Sequence, residues 1–344
     1  MNHRRTLLTA LGAGLLNAPL ASFAQPPANP PGHLAGPPGK IWRVGVLAPP
    51  NREASLDPEF IGAFPLGMRD LGYVEGKNLL IEWRFADGDA KRLPGLAAEL
   101  MQWKPDVFVA GGNDAPAVLQ KQTSTIPIVM ASASNPDEIG MVKSLARPGG
   151  NVTGLSSMSN ELDPKRLQLL LAMLADAKPK VTRVAALLNP AGAGRRELQS
   201  VEAASAKLGV RILPFEARTP AEIAPAFAAM REQKAGAVMV FLNPLFQTHK
   251  KLIADLCAQY RLPAMTAAPL YVSAGCLMAY GSPLAYTWRR VAYYVDRIFK
   301  GARPADLPVE QPTKFELVIN GKTAKALGLK IPQSLLISAE RVIE

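Results

Sequence analysis

One order of elements occurs twice along this chain, and that repetition limits its fold more than any other feature. In the first half the apolar run RVGVL (43–47) reads as a buried strand. A helix to Leu71-Gly72, a strand over 79–85, a helix, KPDVFVAGG (104–112), a helix and IPIVMAS (126–132) follow. In the second half RVAALL (183–188) leads to a helix ending at Leu208-Gly209, then VRILPF (210–215), a helix, KAGAVMVFLN (234–243), a helix and RLPAMTA (261–267). Apolar strands that alternate with helices pack as a parallel sheet covered on both faces. Two copies of the pattern predict two α/β lobes, and 344 residues suffice for a core in each.

The alternation breaks at LARPGGNVTGLSSMS (145–159). Pro148-Gly149-Gly150 is a strong turn signal, Asn151 to Leu155 a short strand, and a polar Ser-Met segment follows. This is where the chain should cross between the lobes. Gly149, Gly150 and Gly154 are suited to a hinge because they carry no Cβ to forbid positive φ. After the second set of elements come a strand, GCLMAYG (275–281), an amphipathic helix stopped by Gly301, an extended Pro-rich stretch to Asn320, and a short helix, KTAKALGL. The expected division is 41–155 with about 280–305 in lobe 1, and 156–279 with about 306–344 in lobe 2.

The first 24 residues carry Arg4-Arg5, an apolar run, and small residues at Ser22 and Ala24. This reads as a signal peptide cleaved after Ala24, for the general or the twin-arginine route, and not as a membrane span. Residues 25–40 form a Pro-rich linker. A soluble periplasmic protein without stable membrane insertion is expected. The formal charge of +11 comes from scattered lysines and arginines with no basic run or interleaved aromatics, so nucleic acid is not an expected partner. Cys257 falls in an expected helix and Cys276 in an expected strand. Export permits a bridge between them, and two separate buried thiols fit as well.

LGYVEGKNLLIEWRFADGDAKRLPGLAAEL, SLARPGGNVTGLS and GARPADLPVEQPTKFELVINGKTAKALGLKIPQSLL resemble the ABC-transporter substrate-binding proteins of the tryptophan-binding-like group. The likeness covers essentially all of 41–344. It implies a type I periplasmic binding fold, with two Rossmann-like lobes of parallel sheets joined by a multi-strand hinge. It also implies a small-molecule ligand enclosed between the lobes and an ABC permease as partner. The mature protein is expected to be a monomer.

In open parallel sheets ligands bind beyond the carboxyl ends of the strands. Those ends here are Pro49, Gly112-Asn113-Asp114, Ser134-Asn135, Asn189, Asn243 and Thr266, rich in groups that cap a helix and also bond a ligand. The resemblance places the family's Thr-Asp-Pro-like turn on Ser134-Asn135-Pro136 and its hinge segment on Thr153 to Ser157, which adds Ser156 and Ser157. Its second-lobe strand end falls near Asn243. Each position bears an amide or hydroxyl where amino-acid-binding relatives tend to have Asp, leaving Asp114 and Asp137 as acids for an ammonium. The expected ligand is amino-acid-like or a small carboxylate, aromatic ones included. Helix N-termini after Gly112-Asn113 and Ser134-Asn135 would hold its acidic group. Trp83, Arg84, Phe85 and Tyr280 are the candidates for stacking on a ring.

Nothing points to catalysis. The chain has three histidines, so no His/Cys metal cluster or serine triad can be assembled, and no nucleophile elbow or P-loop occurs. AGAGRR (191–196) lacks the third glycine of a dinucleotide loop. No cofactor and no metal are expected. The alternative to transport is a periplasmic module of the same fold that senses a ligand and signals through a partner.

Overall fold

The computed structural model describes residues 39–191 and 194–344. The expected signal peptide, most of the expected Pro-rich linker, and residues 192 and 193 of AGAGRR lie outside them.

The strands in chain order are β1 (Trp42–Ala48), β2 (Leu79–Phe85), β3 (Val107–Gly111), β4 (Ile128–Ser134), β5 (Val152–Ser157), β6 (Arg183–Leu188), β7 (Arg211–Glu216), β8 (Ala237–Val240), β9 (Ala264–Thr266), β10 (Met278–Gly281), β11 (Glu316–Asn320) and β12 (Arg341–Ile343). They form two sheets, ordered β2-β1-β3-β4-β5 and β12-β11-β10-β9-β8-β6-β7. Every pairing is parallel except β10 with β11. β3, β6 and β8 are apolar almost throughout because helices cover both faces, so their side chains bury without alternation. These are the two α/β lobes.

The chain passes between the sheets three times. After β5 it enters the helix Ser159–Met173, which packs against β9 and β10 of the second sheet. After β10 it returns in the helix Leu284–Phe299, which lies on the helix Ala63–Asp70 and on β4. Residues 305–310 then run beside β5. Thr153 Oγ1 donates to the Leu307 carbonyl at 2.6 Å, and the Glu310 N–H donates to the Gly154 carbonyl at 3.0 Å. Arg290 holds the Glu310 carboxylate with two hydrogen bonds of 2.8 and 2.6 Å. Only then does the chain rejoin the second sheet as β11.

Gly154 is not a loose hinge residue. It sits inside β5 at φ +129°, and a Cβ there would lie 2.1 Å from the Met130 carbonyl oxygen. Cys257 and Cys276 are both free and buried, yet they are neighbours, with the Cys257 thiol hydrogen-bonded to Cys276 and pushed well up by that contact and by burial. No described helix is long and apolar enough to cross a membrane.

Candidate functional site

The carboxyl ends of the two sheets face each other, and a cavity of about 890 Å³, open solvent at its mouth included, lies between them. The first sheet brings Pro49 from the end of β1, Gly111 to Asp114 from β3, and Ser132 and Ser134 from β4. The second brings Asn189 from β6 and Asn243 from β8. Phe60, Ile61 and Trp288 give an apolar wall from the first lobe's side, and Phe241 adds to it from the second. A wider groove of about 1690 Å³, likewise counted out to solvent, continues outward past Asp114, Asn189 and Asn243.

Seven residues expected from the sequence therefore line one space: Pro49, Gly112, Asn113, Asp114, Ser134, Asn189 and Asn243. Several also shape the backbone. Asn113 Oδ1 accepts from the Ser134 N–H at 2.7 Å and ties the ends of β3 and β4 together. Asn243 Oδ1 accepts from the Leu245 N–H at 3.0 Å as an N-cap, and Asn189 Oδ1 from the Ala191 N–H at 3.0 Å.

The other five do not line the cavity. Ser157 Oγ lies 3.0 Å from Ser134 Oγ, behind the lining. Ser156 is buried at the crossing, its Oγ donating to the Glu310 carbonyl at 3.3 Å. Thr266 is fully buried and donates to the carbonyls of Ala268 and Met278. Tyr280 offers its carbonyl to Arg166, and its ring lies 6.2 Å from that of Phe315. Asn135 takes a left-handed φ of +47° and its carbonyl accepts from the Ile139 N–H. Residues after it form turns, not a helix, so the second of the two anticipated helix N-termini does not exist. The first begins with Asp114, whose own carboxylate occupies the positive end of the helix Asp114–Gln122 and makes it a poor seat for an anion.

The aromatic candidates also fall elsewhere. Trp83 and Phe85 stack on each other with centroids 5.9 Å apart, and Arg84 is engaged by Glu82 and Glu99. Trp288, an aromatic that does line the cavity, comes from the returning helix Leu284–Phe299 that follows β10, and not from a strand end. Its indole N–H is buried with no hydrogen-bond partner among the described residues.

Glu197 is the lining residue with the most unusual surroundings. It is 2% exposed, and its Oε2 has no partner among the described residues. It lies on the inward stripe Gly194, Glu197, Val201 and Ser205 of the helix Gly194–Leu208. That spacing was the signal in the sequence: a carboxylate in a stripe of small and apolar side chains. Gly194 permits the close approach, since a Cβ there would lie 2.1 Å from the Asn189 carbonyl oxygen. Burial, with the charge of Asp163 acting in the same direction and Arg166 opposing, pushes the Glu197 carboxyl up to about 8. Burial raises Asp114 as well. Both acids facing the cavity are thus short of a cation. Among the described residues no group of three or more His, Cys, Asp or Glu could hold a metal ion.

Residues 48–343 match the model of the ABC transporter substrate binding protein family. A tyrosine-binding protein of Clostridioides difficile (strain R20291) is 24% identical over 277 residues, covering 80% of this chain and 78% of that one. The crystal structure of a conserved domain protein from Vibrio cholerae O1 biovar El Tor shares 27% identity at a TM-score of 0.79, over 88% of this chain and all of that one. An ABC domain from Streptococcus pneumonia, solved in complex with L-Trp, shares 25% identity at a TM-score of 0.76, over 87% of this chain and 100% of that one. The fold is shared with these two solved structures, and the chain belongs to the ABC transporter substrate binding protein family.

Proposed function

We propose that this protein is the extracytoplasmic solute-binding component of an ABC importer. It is exported by its leader, works as a monomer, encloses an amino-acid-like molecule with an aromatic or similarly bulky apolar side chain, and delivers it to a permease. The observation that carries the reading is the cavity between the two sheets. Trp288, Phe60 and Phe241 give it an apolar wall large enough for a ring, while Asp114, Asn113, Ser134 and Asn243 supply polar groups at its edge. The relatives that bind tyrosine and L-Trp support the same class of ligand. The closing bodies are lobe 1, 41–155 with about 280–305, and lobe 2, 156–279 with about 306–344. Strand-end residues serve here as ligand contacts, with no step of chemistry assigned to any of them.

Calorimetry of the mature protein against the twenty common amino acids tests this. Tryptophan, tyrosine or phenylalanine should give saturable binding and a smaller radius of gyration in small-angle scattering. No binding by any of them would remove the aromatic amino-acid reading. Binding with an unchanged radius would remove closure.

Closure itself has a specific contact. Gly88, at φ +80° in the loop after β2, comes so close to the second lobe that a Cβ would lie 2.9 Å from the Leu245 Cα. Gly88→Ala should wedge the lobes apart and weaken binding of the same ligand by about tenfold, equivalent to roughly 1.4 kcal/mol. Unaltered affinity in calorimetry would show that the two loops do not need to meet.

A further inference from the structure

We infer that Glu197 is the subsite for a cationic group of the ligand, so that the cavity selects a molecule with an ammonium beside an apolar body. This rests on the reading of the cleft as the binding site, and it assigns the partner of the amino group to a residue outside the strand ends.

The local charges leave room for one more cation. Arg166 is the positive group that acts on Glu197, and it is already committed: Nη1 donates to Asp163 Oδ1 at 2.6 Å and Nε to the Tyr280 carbonyl at 2.7 Å. Asp163 and Glu197 are thus two buried carboxyls sharing the influence of one guanidinium. From the helix Pro269–Ser273, Tyr271 faces the same cluster, its hydroxyl buried without a partner among the described residues. Across the cavity stands Asp114, a third acid. On the helix of Glu197 itself, Arg195 and Arg196 turn outward to Glu216 at 3.5 Å and Glu138 at 3.4 Å. Arg183, Arg211 and Glu216, on β6 and β7 beneath, are exposed. Among the described residues no cation on these elements bonds Glu197 Oε2, which is buried without a partner in a residue that lines the cavity. A buried carboxylate oxygen without a partner is costly, and a ligand N–H donor supplies what is missing.

A proton stands in for the ligand when the site is empty. With its carboxyl raised to about 8, Glu197 is mostly neutral at pH 7. An arriving ammonium favours the carboxylate, so the Glu197 proton leaves to solvent as the ion pair forms. Binding is therefore linked to proton release, and affinity rises with pH until Glu197 is ionised in the free protein. Between pH 6 and pH 8 the rise is about 50-fold for a single group titrating near 8. Asp114 is also raised by burial, so its ionisation acts on affinity in the same direction.

Three probes separate the charges: L-tryptophan, tryptamine, which keeps the ammonium and lacks the carboxylate, and indole-3-propionate, which keeps the carboxylate and lacks the ammonium. Titrated calorimetrically into the mature protein, tryptophan and tryptamine should bind. Indole-3-propionate should be weaker by tenfold or more, about the worth of one charge-assisted hydrogen bond. Tryptamine affinity should rise with pH as above, with a heat that depends on the buffer's ionisation enthalpy. Glu197→Gln should lower it about ten- to a hundredfold at pH 8 and flatten that rise. Indole-3-propionate binding as tightly as tryptamine, or Glu197→Gln binding tryptamine unchanged, overturns the inference and leaves the cleft reading intact. If no probe binds, the small molecule carried through native purification decides by mass spectrometry. A basic nitrogen in it supports the assignment, its absence overturns the assignment alone, and no molecule at all overturns the cleft reading with it.

Discussion

Replacing Gly154 by valine should unfold the edge of the first sheet, lowering stability by about 4 kcal/mol and the melting temperature by on the order of 10 °C. Gly154 is a buried residue of β5 at φ +129°, a region closed to a β-branched side chain. The space is closed as well. A Cβ would stand 2.1 Å from the Met130 carbonyl oxygen and 2.8 Å from its nitrogen, both fixed backbone atoms of β4. The register between β4 and β5 is already shifted between Met130 and Ala133, so the strands approach unusually here. The Gly154 carbonyl also accepts from Glu310, which means the third crossing would be disturbed together with the sheet. Gly150 is the control. It is exposed, and a Cβ there would meet nothing within 4 Å, so Gly150→Ala should change stability by no more than about 0.5 kcal/mol. Thermal unfolding of both variants checks this, and equal melting temperatures would show that the β4–β5 contact yields.

The same glycine shows what a sequence can and cannot carry. From Pro-Gly-Gly and Gly154 the place of the crossing was legible, because turn chemistry and the end of a strand pattern are local. The conformational role was not. Whether a glycine is needed for motion or for a close approach depends on Met130, 24 residues away, and on where β4 is irregular. The strands were readable for the same reason as the crossing: β2 and β6 span the expected 79–85 and 183–188, because buried parallel strands are short apolar runs. β12 and the helices Pro244–Thr248 and Pro269–Ser273 were not anticipated. They are three to five residues long, too short to show a period. The candidate site divides along the same line. Residues at the ends of central strands, such as Asn113, Asn189 and Asn243, were found because topology alone places them. Thr266, also at a strand end, turns inward to two carbonyls, a choice made by the neighbouring β10. Trp288 and Glu197 were missed because each lies on a helix whose facing partner is remote in sequence. For Glu197 the inward stripe was a usable clue, and for Trp288 the amphipathic helix pointed only to burial.

Removing Arg166 should be the other severe change, because that side chain joins the first helix of the second lobe to β10 where charge is least tolerated. Arg166 and Asp163 are 4% and 2% exposed and lie on the inward face of the helix Ser159–Met173, together with Leu167, Leu170 and Met173. Burial works against the Asp163 carboxylate and raises its proton affinity, and the Arg166 guanidinium opposes this. Arg166→Leu would leave Asp163 without its cation, the Tyr280 carbonyl without its donor, and Glu197 with a weaker field favouring ionisation. Breaking a buried pair from one side costs about 3–5 kcal/mol, more than the intact pair contributes, because the remaining group keeps its desolvation penalty. The pH dependence follows. An acid whose folded pKa lies above its unfolded value makes the fold less stable as pH rises from the unfolded value towards the folded one. In Arg166→Leu the carboxyl of Asp163 is raised further, so the variant's deficit should shrink towards pH 5 and grow towards pH 8. Asp163→Leu combined with Arg166→Leu removes both charges and should recover most of the loss, because apolar replacements fill the space without an unpaired ion. Thermal unfolding from pH 5 to pH 8 measures all three effects. A single variant as stable as the original at pH 8, or a double variant no better than the single, would mean that the pair does not hold the helix to β10.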